Sequence, residues 1–359
     1  MSEQALRVGI IGVGNIAMIS RAPVLRSTPH VQITAISRRR EKQLAMAQEH
    51  LGVREAYTDW REMLDKAPLD AVLVCTPHDL HAEQTIAALQ RGLHVLVDKP
   101  MALTVKNAQS MVEAARKAGR VLMTTYGGRF DGRLRTAKKA LSEGAIGTLR
   151  QVNWTHIVYR RFFWIDKMIP PAGRGMLQRM SGMTGEFYSD WHLEDEWWSD
   201  PHRVGGGAFA DIGAHHIDTT LWLGGARPVE VVAMSESAGL PVECFMNVQA
   251  RLANGVLLSL LTADADPGAL LGRGTCWIVG DDGTLTLDLD GHLWIESKGT
   301  RQELKPELPD IGPEVAFVQC VLEGKPNLSP GEDGVYAVAL AEAAYRSAAE
   351  GQVIRLSLP

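Results

Sequence analysis

The chain has 359 residues, of which 45% are hydrophobic and 22% are charged, and its formal net charge is −5. This size and composition are typical of a soluble globular protein with two domains, and the mildly negative charge argues against nucleic acid as a partner. No apolar run is long enough to cross a bilayer, and the four scattered cysteines match no metal-ligand spacing. We therefore predict a cytoplasmic protein with reduced thiols and no membrane partner; the first residues also lack the basic head of a secretory signal.

The first third of the chain alternates between short apolar runs and segments with helical spacing. Strands are predicted at 6–13, 31–36, 71–75, 94–97 and 121–125, and helices at 40–51, 79–91 and 104–118. Such alternation predicts a parallel, doubly wound sheet with right-handed crossovers. The sequence therefore predicts an α/β fold that begins with a Rossmann domain over residues 1–125.

A glycine pattern follows the first predicted strand and opens a helix. In Gly12-x-Gly14-x-x-Ala17, the first glycine permits a tight turn, the second lets a pyrophosphate approach the backbone, and Ala17 lets the helix pack on the strand. We expect Gly12, Gly14, Asn15 and Ile16 to bind a dinucleotide. The alternative is a structural turn without a ligand.

The end of the second predicted strand bears on which nicotinamide cofactor binds. An acid at this point would bind the ribose hydroxyls of NAD, but the chain has Ser37 followed by Arg38, Arg39 and Arg40. A hydroxyl and a guanidinium suit the 2′-phosphate of NADP, so Ser37 and Arg38 favour NADP. NAD stays open, and the alternative for the arginines is a solvated helix start.

Two further motifs stand at strand ends, where ligands bind in such sheets. Thr76, Pro77 and His81 follow the third predicted strand, and Asp98-Lys99-Pro100 follows the fourth. A lysine at the mouth of a cofactor cleft places a positive charge beside a developing alkoxide. The alternative for Lys99 is an ordinary surface lysine.

After a predicted helix at 131–142 and a strand at 149–159, residues 160–203 form a long aperiodic insertion that is rich in tryptophan. Trp164 and Trp198 belong to it, and aromatic faces stack on the C–H surfaces of sugars, which suggests a substrate lid. Packing in the core or at a subunit interface is equally open. The histidines and acids of the insertion match no definite metal-ligand template, so no metal is predicted.

The triple glycine Gly205–Gly207 is followed by Asp211 and, four residues later, by His215. If the chain is helical from Ala208, the two side chains lie on one face, and the carboxylate can orient the imidazole for proton transfer. Taken alone, the pair also fits an ordinary surface contact. Later strands are predicted at 243–252, 255–262, 275–279, 285–289 and 292–295, separated by Asn-Gly and Asp-Gly turns, and a helix is predicted at 332–350 before a final short strand.

Over nearly its whole length the chain resembles the Gfo/Idh/MocA family (glucose–fructose oxidoreductase, inositol dehydrogenase and rhizopine catabolism). The features that match are Gly12 to Ala17, the Cys-Thr-Pro-x-x-x-His pattern from Cys75 to His81, Asp98-Lys99-Pro100, Tyr126-x-x-Arg129-Phe130 and the stretch that contains Asp211 and His215. The resemblance implies a second, substrate-binding and oligomerisation α+β domain over 126–359, built on a large open, mostly antiparallel sheet. It also implies a homo-oligomer, dimeric or tetrameric, formed through that sheet.

Residue roles follow from the same resemblance. It implies that Lys99, Asp211 and His215 are catalytic, that Thr76, Pro77, His81, Asp98 and Lys99 contact the cofactor, and that the substrate meets Tyr126, Arg129, Asp211 and His215. The tryptophan-rich insertion adds Trp164 and Trp198 as candidate substrate contacts. At two positions the chain departs from the family's pattern, which weakens the prediction of the contacts made there. Asp98 stands where the family commonly has Glu, and Ser199 follows Trp198 where the family has Arg.

The resulting hypothesis is an NADP- or NAD-dependent dehydrogenase that acts on a secondary alcohol of a sugar, cyclitol or related polyol. His215 removes the hydroxyl proton, Lys99 stabilises the alkoxide, and Asp211 holds and tunes His215. Two alternatives stay open: an enzyme that oxidises a glycoside transiently in order to cleave it, and a non-catalytic sugar or cofactor sensor.

Overall fold

The structure is a computed structural model that describes residues 5–161, 197, 200–265 and 272–358. Trp164 and Trp198 lie outside the described residues, as does most of the tryptophan-rich insertion. None of the helices in the described part of the chain is both long and apolar enough to cross a membrane. The cytoplasmic location stays a prediction from the sequence.

The first part of the chain is a six-stranded sheet in which all neighbouring strands are parallel, in the order β3-β2-β1-β4-β5-β6. Its strands are β1 Leu6–Ile11, β2 Val31–Ser37, β3 Glu55–Tyr57, β4 Ala71–Val74, β5 His94–Val97 and β6 Leu122–Thr124. The helices between them are α1 Ala22–Ser27, α2 Glu41–Leu51, α3 Trp60–Lys66, α4 His81–Gln90 and α5 Val105–Ala118. The predicted doubly wound fold is confirmed.

Local chemistry explains the element ends that the sequence predicts. The Thr104 hydroxyl accepts a hydrogen bond from the Asn107 N–H and so caps α5, and Gly119 ends that helix at a φ of +62°. The sequence interpretation missed β3, because its three residues are half-buried and show no alternating pattern. A short strand at the sheet edge leaves little signal in sequence periodicity.

The second sheet has nine strands in the order β14-β13-β12-β11-β7-β10-β9-β8-β15, and every neighbouring pair is antiparallel except β7 and β10. Its strands are β7 Leu149–Val158, β8 Pro228–Glu236, β9 Phe245–Leu252, β10 Leu257–Asp264, β11 Arg273–Gly280, β12 Gly283–Leu287, β13 Leu293–Ser297, β14 Thr300–Glu303 and β15 Ile354–Arg355. The predicted large, mostly antiparallel sheet is confirmed. The sequence interpretation missed β8 and β14.

The helices of this part of the chain are α6 Gly132–Ser142, α7 Pro201–Val204, α8 Gly213–Gly224, α9 Pro313–Glu323 and α10 Gly331–Glu350. Residues of α6, α8 and α10 pack against the nine-stranded sheet. Ile217 and Leu221 of α8 pack with Leu258 of β10 and Leu340 of α10 in one buried core. Alternate residues of the central strands therefore point inward, as the period of a strand requires.

The helix α9 departs from the predicted division of the chain, which placed everything after residue 125 in the second domain. Ala316, Phe317 and Val318 of α9 pack with the core of the parallel sheet, beside Met123 of β6. The chain therefore returns to the first sheet after completing most of the second.

Candidate active site

The glycine turn after β1 combines close packing with open space. Gly12 has a φ of +92°, and a Cβ at this position would lie 2.6 Å from the Thr76 Cγ2 and 2.7 Å from the Cys75 carbonyl oxygen. At Gly14, by contrast, a Cβ would meet nothing within 4 Å. The first glycine therefore lets two strand ends meet, and the second leaves room for a ligand against the backbone.

Ile16, Asn15 and Arg38 border this turn. Ile16 is exposed and Asn15 is half-buried just before the helical turn that begins at Ala17. The Arg38 guanidinium donates a hydrogen bond of 2.8 Å to the Val13 carbonyl oxygen, so it lies against the glycine turn. Ser37 is buried, and its carbonyl oxygen accepts hydrogen bonds from two N–H groups of the turn.

His81 has a different environment from the one that its predicted cofactor contact requires. Its ring is fully buried, with Nδ1 2.8 Å from the Pro100 carbonyl oxygen and Nε2 2.9 Å from the Thr76 carbonyl oxygen. Burial lowers the pKa of His81. The ring therefore ties the loop after β4 to the loop after β5, while Thr76 and Pro77 stay half-buried at the sheet edge.

Asp98, which is predicted to contact the cofactor, is buried and bound by other side chains. Its Oδ1 accepts hydrogen bonds from the Arg21 Nη2, at 2.7 Å, and from the Thr125 hydroxyl, and only 7% of the residue is exposed. Arg21 also binds Glu314 at the start of α9, at 3.1 Å. Burial raises the pKa of Asp98, but the positive charges of Arg21 and Lys99, together with the hydrogen bond from the Thr125 hydroxyl, outweigh it and hold that pKa well below its usual range.

Arg21 is a residue that the sequence interpretation missed. The available signal was a single arginine inside the otherwise apolar helical segment that follows the glycine turn. A charge at such a position needs a buried partner. It finds two carboxylates, Asp98 and Glu314, which are 77 and 293 residues away along the chain.

Lys99 and Asp211 form the central contact of the site. The Lys99 Nζ donates to the Asp211 Oδ1, at 2.5 Å, and to the Asp211 carbonyl oxygen, at 3.0 Å. The Arg160 Nε lies 3.8 Å from the Asp211 Oδ2. Burial raises the pKa of Asp211, but the charges of Lys99 and Arg160 outweigh it and lower that pKa to about 2. The sequence interpretation brought Lys99 and Asp211 to one site and missed Arg160.

The prediction that the chain is helical from Ala208, with Asp211 and His215 on one helix face, is wrong. The α8 helix begins at Gly213, and Asp211 lies in the preceding turn. The Glu243 carboxylate accepts hydrogen bonds from the Gly207 N–H, at 2.7 Å, and the Phe209 N–H, at 2.9 Å, so a side chain from a later part of the chain anchors the turn. Asp211 therefore faces Lys99, and Glu243 is another residue that the sequence interpretation missed.

His215, in the first turn of α8, is oriented by the backbone. Its Nδ1 accepts a hydrogen bond of 3.0 Å from the Gly127 N–H. Burial, followed by the positive charge of Lys99, lowers the pKa of His215 to about 3. The neighbouring His216 points away from this contact and stacks on Trp154 of β7, with the ring centroids 4.8 Å apart.

Tyr126 and Arg129, which are predicted to contact the substrate, are buried and bound by other groups of the protein. Tyr126 is 1% exposed, and its hydroxyl accepts a hydrogen bond of 3.3 Å from the Met101 N–H. The Arg129 guanidinium is bound by Asp218, at 2.7 and 2.8 Å, and by Asp333, at 2.7 Å. A buried guanidinium needs such partners, so Arg129 joins α8 to α10.

The site therefore has a lysine–carboxylate pair, a second cation and a neutral imidazole at the carboxyl edge of a parallel sheet. Among the described residues, no group of three or more His, Cys, Asp or Glu side chains could hold a metal ion. Positive charge next to a hydrogen-bonding imidazole suits a substrate oxygen that becomes negative during reaction.

Comparison with known proteins identifies the family. Residues 6–126 match the NAD-binding Rossmann fold of the Gfo/Idh/MocA oxidoreductases, and residues 175–356 match the family's C-terminal alpha/beta domain. The chain belongs to the Gfo/Idh/MocA family of oxidoreductases. This membership confirms the resemblance found in the sequence and the predicted class of enzyme, a dehydrogenase or reductase.

Individual relatives agree with this membership. The chain is 30% identical to the 1,5-anhydro-D-fructose reductase of Ensifer adhaerens, over 98% of each chain. It is 25% identical to the D-glucoside 3-dehydrogenase of Escherichia coli, over 99% of each chain. A solved oxidoreductase domain protein from Kribbella flavida superposes with a TM-score of 0.81 at 25% identity, covering 99% of this chain and 100% of that one.

Proposed function

We propose that this Gfo/Idh/MocA protein moves a hydride between a nicotinamide cofactor and a secondary alcohol or ketone of a sugar, cyclitol or related polyol. The observation that carries the proposal is the contact between Lys99 and Asp211, beside His215, at the edge of the sheet where a dinucleotide would bind. The named activities of the relatives, on an anhydrosugar and a glucoside, support the substrate class.

The residues of the first sheet fit a dinucleotide. Gly14 leaves its backbone open, Asn15 and Ile16 follow it, and Thr76 and Pro77 border the same edge of the sheet. When bound, the nicotinamide supplies the hydride acceptor or donor. The ammonium group of Lys99 would then face the substrate oxygen, where it stabilises a developing alkoxide by charge and by hydrogen bonding.

Activity is tested directly by the change in nicotinamide absorbance with a panel of sugars, anhydrosugars and cyclitols, each with NAD and with NADP. We expect stoichiometric cofactor reduction with at least one polyol at alkaline pH, since proton release favours oxidation there. Product formation without net cofactor reduction would instead support transient oxidation with glycoside cleavage. No turnover with any compound would contradict the proposed substrate class.

We propose NADP as the preferred cofactor because Arg38 lies against the glycine turn. The bond from Arg38 to Val13 holds its guanidinium beside the glycine turn, and a guanidinium can grip a 2′-phosphate with two parallel hydrogen bonds. We expect Arg38→Ala to raise the KM for NADP about tenfold and to leave the KM for NAD unchanged. Arg39→Ala, at the exposed neighbouring position, is the matched control. Equal KM values for NADP in Arg38→Ala and the wild type would contradict this preference.

We also propose that copies of the chain associate through the outer face of the nine-stranded sheet. Five large apolar side chains share this face and are between 38% and 75% exposed: Ile157, Val232, Met234, Leu257 and Trp277. We expect a dimer or tetramer by analytical ultracentrifugation, and we expect Trp277→Lys to weaken it. A monomeric wild type at micromolar concentration would contradict the proposal.

A further inference from the structure

The contact between Gly127 and His215 determines which ring nitrogen of His215 carries hydrogen. A backbone N–H can donate a hydrogen bond and cannot accept one, so the Nδ1 that faces it, at 3.0 Å, must present its lone pair. A neutral imidazole has one N–H, which is therefore on Nε2. His78 is an internal contrast, because its Nδ1 lies 2.9 Å from the Val204 carbonyl oxygen and must carry the hydrogen.

The turn that supplies this N–H is held against α8 at three successive residues. Gly127 binds His215, and a Cβ at Gly128 would lie 2.0 Å from the Thr219 Oγ1. The next residue, Arg129, binds Asp218, and both side chains are almost fully buried. Buried ion pairs are costly to separate, so the Gly127 N–H stays opposite the His215 Nδ1.

The surroundings of His215 also oppose its protonation. Burial disfavours the imidazolium, and the positive charges of Lys99 and Arg21 outweigh the opposite influence of Asp98 and Asp211. Protonation would further place an N–H on Nδ1 against the Gly127 N–H. With a pKa of about 3, the ring is neutral at physiological pH.

Lys99, unlike His215, is placed to exchange a proton with a substrate oxygen. An ammonium group has three donors, and among the described residues the contacts of Lys99 are to Asp211 alone, at two oxygen atoms. One N–H is therefore available for a substrate oxygen. The Asp211 carboxylate stays ionised and holds the ammonium in place.

The geometry points to a division of labour that reverses the role predicted for His215: its Nε2–H donates a hydrogen bond to the reacting oxygen, and Lys99 moves the proton. This inference rests on the proposed hydride-transfer function. Oxidation starts from Lys99 after its ammonium group has released one proton to solvent: the alcohol O–H then breaks and its proton passes to this amine, while the C–H electron pair leaves as hydride to the nicotinamide and a C=O bond forms. In reduction, the carbonyl carbon receives the hydride and the Lys99 ammonium gives its proton to the oxygen.

Two amide variants of His215 test this assignment. Glutamine reaches the position of Nε2 with an N–H₂ donor, whereas asparagine reaches only the position of Nδ1 and can accept from Gly127. We expect His215→Gln to keep kcat within about tenfold of the wild type, and His215→Asn to lose about a hundredfold, the usual effect of losing a well-placed donor. Equal loss in both variants, to the level of His215→Ala, would overturn the assignment, because neither amide can act as a base.

A second measurement, NMR of the imidazole nitrogens, observes the His215 ring directly and requires no substrate. In protein labelled with ¹⁵N-histidine, we expect His215 to show an unprotonated Nδ1 and a protonated Nε2 throughout pH 6 to 9, and His78 to show the opposite tautomer. The signals of His215 are identified by their absence from His215→Asn. A protonated Nδ1 on His215, or titration within this range, would overturn the inference. If instead the tautomer is as expected and no polyol reacts, the proposed function fails independently.

Discussion

The two sides of the cleft arrange buried charge in opposite ways. On the cofactor side, the cation Arg21 has two carboxylate partners, Asp98 and Glu314. On the substrate side, the carboxylate Asp211 has two cation partners, Lys99 and Arg160. The first arrangement gives its arginine two opposite charges and joins three segments of chain. The second brings two positive charges to one carboxylate, and positive charge is what stabilises a substrate oxygen that becomes an alkoxide.

The largest expected effect comes from removing the cation on the substrate side. Lys99→Ala should lower kcat about a thousandfold or more, because both charge stabilisation and proton transfer are lost, while the Kd for the cofactor changes little. Stopped-flow kinetics and cofactor titration measure the two quantities. Lys106→Ala, at an exposed position of α5, is the matched control. Normal hydride transfer in Lys99→Ala in a single turnover would contradict the assignment.

Removing the cation on the cofactor side should mainly affect stability. Arg21→Met leaves Asp98 and Glu314 buried without their partner, so we expect the free energy of unfolding to fall by about 3–5 kcal/mol. Urea denaturation measures this change. Arg26→Met, at an exposed position one turn later, should change it by less than about 0.5 kcal/mol. Similar midpoints for the two variants would show that the Arg21 contacts do not stabilise the fold.

Asp211→Asn tests the charge on the substrate side by its dependence on pH. The pKa of Asp211 in the folded protein, about 2, is below its value in an unfolded chain. The ionised carboxylate therefore stabilises the wild type above pH 4 by about 2 kcal/mol, and this contribution disappears as the pH falls towards 2. Urea denaturation measures the free energy of unfolding at each pH. Between pH 5 and pH 3 we expect it to fall less for Asp211→Asn than for the wild type, because the variant lacks this carboxylate. An unchanged slope would contradict the ion pair.

The smallest expected effect tests the packing that holds His215. In Gly128→Ala, the new methyl group meets the Thr219 hydroxyl, so the turn must move away from α8 at a cost of about 1–2 kcal/mol. The same change in a Thr219→Ala background should cost less, since the closest atom is absent. Thermal denaturation of the wild type, the two single variants and the double variant gives the coupling energy between positions 128 and 219. Additive losses would show that Gly128 and Thr219 do not constrain each other.

Much of the fold was readable from local patterns. The glycine turn, the N-cap at Thr104 and the alternating strands and helices of the first sheet all depend on residues that are close together in the chain. The sequence also predicted that Lys99 and Asp211 lie close together, from the family resemblance and not from their spacing, and the structure shows them in contact. The helical reading of the segment from Ala208 failed, because the carboxylate that shapes it, Glu243, belongs to a later part of the chain.

The sequence by itself determined the class of fold, the place of the dinucleotide turn and the types of residue in the site, since periodicity and turn chemistry act over short distances. Only the tertiary structure decided the partners. Lys99 meets Asp211 across 112 residues, and Gly127 meets His215 across 88. Such contacts set the ionisation of Asp211 and the tautomer of His215, because both depend on which charge or N–H lies within hydrogen-bonding distance in three dimensions.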